Sequence, residues 1–129
     1  MIDYLWAGKP AHFSVYEVGE LMKELFSNLE AQYGEDFNWF LIPESKTSFT
    51  AEAYREIHVS HSLFGLKLRS IAKCEANDDV LFLCETDTNI TYYVIHLTYN
   101  QHNDGDFPMF VHLKDLNDVR KYIESGIDI

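Results

Sequence analysis

The chain has 129 residues, 47% of them hydrophobic and 15% aromatic, and a formal net charge of −11. Such a length and composition suit one globular domain, residues 1–129, whose core is large enough to need no disulfide framework. The charge argues against nucleic acid or an anionic membrane as partner, because both need clustered Lys and Arg, and the apolar runs are too short to span a bilayer.

The N-terminal MIDYLWAGKPAHF lacks a basic start followed by a long apolar core, so no secretory signal is expected and the expected location is cytoplasmic. A helix should follow. Ser14, Val15, Tyr16 and Glu17 form a capping box, and Phe13 can staple onto Val18. Val15, Val18, Met22, Leu25 and Leu29 recur at helical spacing until Gly34, which fits a left-handed end.

Residues 37–42 read as a short strand stopped by Pro43, and 50–58 as about two helical turns with Ala53, Tyr54 and Ile57 inward. Residues 63–75 read as an amphipathic strand, with Leu66, Leu68, Ser70 and Ala72 set against Lys67, Arg69, Ile71 and Lys73. A turn at Asn77, Asp78 and Asp79 leads to the apolar run 80–84, where Cys84 is expected to be a small core residue. Asn89, Ile90 and Thr91 match a glycosylation sequon but are read as a turn into the next strand.

That strand, NITYYVIHLTYN at 89–100, is the plainest in the sequence. Ile90, Tyr92, Val94, His96 and Thr98 fall on one face, and Thr91, Tyr93, Ile95, Leu97 and Tyr99 on the other. Both faces are largely apolar, which places it in the middle of a sheet that is covered twice, or covered once and docked on something else. A polar loop, QHNDGD at 101–106, precedes a last strand at 107–112, where Pro108 indicates an edge position. Leu116, Val119, Tyr122 and Ile123 then give a closing helix, capped by Asp115 and ended by Gly126. The expected fold is α+β: an antiparallel sheet of about four to five strands with helices packed on one face.

No nucleophile elbow, phosphate-binding glycine loop, HExxH or paired-cysteine motif occurs, and no cofactor is implied. His58 and His61 lie beside Glu56 but lack a third metal ligand. His102, Asp104 and Asp106 form an oxygen-rich loop without the ligand order of a calcium site. His96, among apolar neighbours, is the best candidate for an ionisable group in a special environment, expected to be hydrogen-bonded in the core.

The distribution of charge is more informative than its total. No Lys or Arg occurs between Cys74 and Leu113, while that window holds Glu75, Asp78, Asp79, Glu85, Asp87, Asp104 and Asp106. Within it, YYVIHLTYNQHNDGDFP at residues 92–108 resembles small bacterial proteins found beside polymorphic toxins. In these an HLT-aromatic tetrad, here His96, Leu97, Thr98 and Tyr99, is followed by a polar loop and an FP step, here Phe107 and Pro108. The resemblance implies an immunity protein of contact-dependent growth inhibition or a related system, without catalysis of its own, whose partner is a cognate toxin domain.

Many such toxins are nucleases with a basic phosphate-binding cleft, which an acidic protein can fill. The expected contact residues are Glu85, Asp87, Asp104 and Asp106, then Asp78 and Asp79, with Trp39, Tyr99 or Phe107 as aromatic anchors. The acids could lie at opposite ends of the hairpins, in which case only one group serves. The second reading is a small enzyme or ligand-binding domain that uses His96 and nearby acids.

Overall fold

The structure is a computed structural model, and it describes residues 14–127 except 102 and 104. Three helices, α1 (Val15–Tyr33), α2 (Ser48–Glu56) and α3 (Leu116–Ser125), accompany β1 (Trp39–Leu41), β2 (Leu68–Cys74), β3 (Asp79–Glu85), β4 (Ile90–His96) and β5 (Phe110–Leu113). The strands form one antiparallel sheet in sequence order, β1-β2-β3-β4-β5. The α+β class and the antiparallel meander are those expected from the sequence.

The local signals act as their chemistry dictates. Ser14 accepts from the Glu17 amide at 3.1 Å and its own amide donates to the Glu17 carboxylate at 2.9 Å, which completes the capping box. Gly34 ends α1 with φ +57°, a conformation that costs a side-chain-bearing residue energy. Asp115 caps α3 by accepting from the Asp118 amide. The expected staple from Phe13 lies outside the described residues.

Two cores form, one on each face of the sheet. Beneath α1 and α3, Val18, Met22, Phe26, Leu29, Val119 and Ile123 pack on Leu81, Leu83, Tyr92 and Val94. On the opposite face, Ala53 of α2 with Ile57 and Leu63 from the connection after it covers Val80, Phe82, Cys84, Ile95 and Leu97. The sheet is thus covered twice, the first of the two arrangements that the two-sided apolar character of the aromatic strand allows. That strand is β4, an interior strand, while the central position belongs to β3, whose residues Val80, Leu81, Phe82, Leu83 and Cys84 are all buried.

β2 departs from the alternation read in the sequence. The register with β3 slips between Ser70 and Ala72. Leu68 therefore faces the α2 side, whereas Ala72 and Cys74 face α1. Such a bulge adds one residue to one strand and reverses the faces beyond it. Thr50 of α2 holds the near side of the bulge, bonding the Ser70 amide and hydroxyl at 3.1 Å each. Tyr54, expected inward, keeps its ring half exposed and reaches β2 through its hydroxyl, which accepts from the Leu68 amide at 2.7 Å.

Candidate interaction surface

The connection between β4 and β5, residues 97–109, is organised around a carboxylate that comes from another element. Glu56, the last residue of α2, is buried, and its side chain has no exposed area. Its Oε1 accepts from the Thr98 amide at 2.8 Å and the Thr98 hydroxyl at 2.9 Å, and its Oε2 accepts from the Tyr99 amide at 2.8 Å. The Thr98 hydroxyl in turn accepts from the Asn100 amide and the Asn103 side chain. Beside it, Arg55 donates to the Asn100 carbonyl at 2.8 Å and to Glu52. The end of α2 thereby satisfies backbone groups that a surface loop would otherwise leave to water.

Burial, and then the neighbouring Glu52 carboxyl, push the Glu56 carboxyl above the usual range, against the pull of the Thr98 and Tyr99 groups. Glu52 moves the opposite way, held down first by its hydrogen bond to Arg55. Glu56 is thus the more basic of the two carboxyls.

The residue fixed by this arrangement is Tyr99, which has φ +57° and is the sole non-glycine residue with positive φ among those described. A tyrosine in this region is uncommon and strained, and it persists because Glu56 holds its amide. The ring is 50% exposed. Partial burial first, and then the charges of Asp78, Glu52 and Glu56, push its hydroxyl up.

A second connection, residues 57–67, supports the same loop. His61 is buried, and its Nδ1 accepts from the Leu63 amide at 3.0 Å. Nε2 therefore carries the proton and donates to the Pro108 carbonyl at 2.9 Å. The Phe107–Pro108 peptide is cis. Gly105 lies so close to Ser60 that a Cβ would stand 2.8 Å from the Ser60 Oγ, so no larger residue fits without a shift.

The nine residues expected at the interface divide sharply. Asp78, Tyr99, Phe107 and Asp106 are exposed and belong to the same end of the sheet, where Leu97 bonds the Asp78 carbonyl and the 97–109 connection begins. Glu85 and Asp87 are also exposed but flank the β3–β4 turn at the opposite end. Asp104 lies outside the described residues.

Two expectations are corrected. Trp39 is only 8% exposed and packs in the core beneath α1, because β1 lies under that helix; it cannot anchor a partner. Asp79 is not a free rim acid, since its carboxylate accepts from the Tyr122 hydroxyl at 3.1 Å and bonds His96 Nδ1 at 3.0 Å.

His96 itself ends β4 with its side chain 54% exposed, so it is a surface residue and not a core histidine. His58, also exposed, bonds Ser60, whereas His61 is buried. No three His, Cys, Asp or Glu side chains among the described residues could hold a metal ion. No described helix is long and apolar enough to cross a membrane.

Sequence reasoning did not single out Glu56 as a functional residue. A signal existed, because Ala53, Glu56 and Ile57 share the inward stripe of α2 at spacings of three and four. A carboxylate on an inward stripe must find donors, and here they come from 42 and 43 residues along the chain. A cleft of about 1,060 Å³ between the first turns of α1 and the β1–α2 connection holds none of the nine expected residues. Its rim carries Lys23, Lys46 and Arg69, with Glu20 and Glu44 paired to Lys23 and Arg69.

Fold and site together define a small α+β domain that displays a strained, half-exposed tyrosine at one end of a twice-covered antiparallel sheet. No protein-family model matches the chain, and comparison with curated proteins and with solved structures finds none similar to it.

Proposed function

We propose that the protein is an immunity protein that binds and neutralises a cognate antibacterial toxin domain, and that the contact is the sheet end carrying Asp78, Tyr99, Asp106 and Phe107. The observation that carries this reading is Tyr99, strained, half exposed and fixed by a buried carboxylate. Strain held by dedicated hydrogen bonds is characteristic of sites where a side chain must be preorganised. Tyrosine is also among the residues that dominate interface energetics when they fill a partner's pocket.

The acids around Tyr99 and the absence of Lys and Arg between Cys74 and Leu113 favour a basic partner, as a nuclease cleft would be. Such charges act chiefly on the rate of encounter, and the aromatic acts on the lifetime of the complex. Glu85 and Asp87, at the far end, take no part.

The test is co-purification with the toxin domain encoded beside its gene, followed by measured association and dissociation rates. Tyr99→Ala should speed dissociation by roughly 30-fold, equivalent to about 2 kcal/mol. Asp78→Lys should slow association, less so as salt rises, whereas Glu85→Lys and Asp87→Lys should change neither rate. Failure to bind or protect against that toxin refutes the function. Tight binding that ignores Tyr99, Asp78 and ionic strength refutes the surface. A turnover lost with His96→Ala in a variant of unchanged thermal stability would favour the enzyme reading instead.

A further inference from the structure

β5 closes one side of the sheet, and among the described residues no strand pairs with its outer edge, which the 57–67 connection meets at Pro108 through His61. The His96 amide donates to the Met109 carbonyl at 2.9 Å, so Met109, and by alternation Val111 and Leu113, bond toward β4. The amides and carbonyls of Phe110 and His112 therefore point outward, two donors and two acceptors in a row. Edges of this kind are usually guarded by charge, a bulge or a covering segment. Here no charged side chain occurs from Phe107 to Leu113, the register with β4 is regular, and Met109, Phe110 and Val111 are exposed.

We propose that this edge pairs with the same edge of a second copy of the chain, antiparallel about a two-fold axis through Val111, so that two five-stranded sheets become one. The register follows from the bonds. With Phe110 opposite His112 of the second copy, all four outward groups of each strand are satisfied. Centring on Phe110 would set His112 against Pro108, which has no amide hydrogen. Centring on His112 would set Phe110 against Lys114.

Side chains fit the same arrangement. On the α2 face, Tyr93 stacks on His112 at 4.7 Å and meets Phe110 edge-on at 5.9 Å. Two-fold pairing places Phe110 of each copy beside His112 of the other and joins the two aromatic rows. An unrelated strand could form the backbone bonds, but only a second copy supplies this matched pattern by symmetry.

Each copy carries a charge of −11, so long-range repulsion opposes the dimer and salt relieves it. Sedimentation velocity of the full chain should therefore show a dimer that strengthens as salt rises, the reverse of the salt dependence expected for a basic partner at the Tyr99 end. Val111→Lys sets two like charges face to face and should weaken the dimer by roughly tenfold. In the proposed register the Val111 positions form a non-hydrogen-bonded pair with Cα atoms about 4.5 Å apart, within disulfide range. Val111→Cys should then cross-link under mild oxidation, while Met109→Cys should not, and the native Cys74 and Cys84 are buried and remain reduced. A chain that stays monomeric at high concentration and high salt overturns the proposal. So does a dimer that survives Val111→Lys, or one in which Val111→Cys fails to cross-link. The proposal stands independently of the toxin-binding surface, because Val111 and Tyr99 are read by different assays.

Discussion

The carboxylate of Glu56 takes the place of water for two consecutive loop amides, those of Thr98 and Tyr99. Replacing it by Ala leaves both buried donors without an acceptor, and each such loss costs about 1–3 kcal/mol, so Glu56→Ala should destabilise the protein by roughly 3 kcal/mol in denaturant melts. Glu56→Gln keeps one acceptor and the shape, and should cost less. The two also differ in pH dependence. Because the folded-state value of Glu56 is raised, its contribution is full in acid, where folded and unfolded chains both hold the proton, and is lost as pH climbs through the raised value. The stability advantage of wild type over Glu56→Gln should therefore shrink with rising pH across that window, and a constant difference would show that folding does not raise the Glu56 value. Glu52, whose value is lowered first by Arg55 and then by Glu56, acts in the opposite sense. At this scale the sequence shows which face a residue occupies but not how far along an element it lies. His96 is on an apolar face of β4 by alternation, yet it is the last residue of the strand and emerges into water.

Helix ends and hairpins were the most legible elements because their determinants are local. The capping box of α1 needs four adjacent residues and forms as read. Ser14→Ala should cost about 1 kcal/mol in thermal or denaturant unfolding, and an unchanged midpoint would mean that the box contributes nothing. The β3–β4 hairpin and the edge position of β5 follow in the same way from short turns and from Pro108. β2 was not legible, since its face reversal depends on a bulge set by Thr50, twenty residues earlier in the chain. Nor was the burial of Trp39, which depends on β1 lying under α1 and not on anything in its own three-residue strand. Tyr99 reads in the sequence as part of a strand over 89–100, but β4 stops at His96 and Tyr99 lies in the connection after it; that conformation is imposed by α2, and no local pattern encodes a contact at that separation.

The molecule as a whole is a sheet with a separate core on each face, and the two have unequal cover. One is roofed by the 19-residue α1 together with α3, the other by the nine-residue α2 and an irregular connection. Both free thiols are buried, and they fall on opposite sides: Cys74 belongs to the core beneath α1, Cys84 to that beneath α2. Burial pushes the Cys84 thiol up, which keeps it unreactive while its side is closed. Each face thus contains its own chemical clock. In pulsed alkylation under native conditions, Cys84 should label first, because the thinner cover needs less free energy to lift. Equal rates would mean that the two faces open only together, in one global event; unequal rates would make this chain a protein whose two halves can be timed separately with the sulfur atoms it already has.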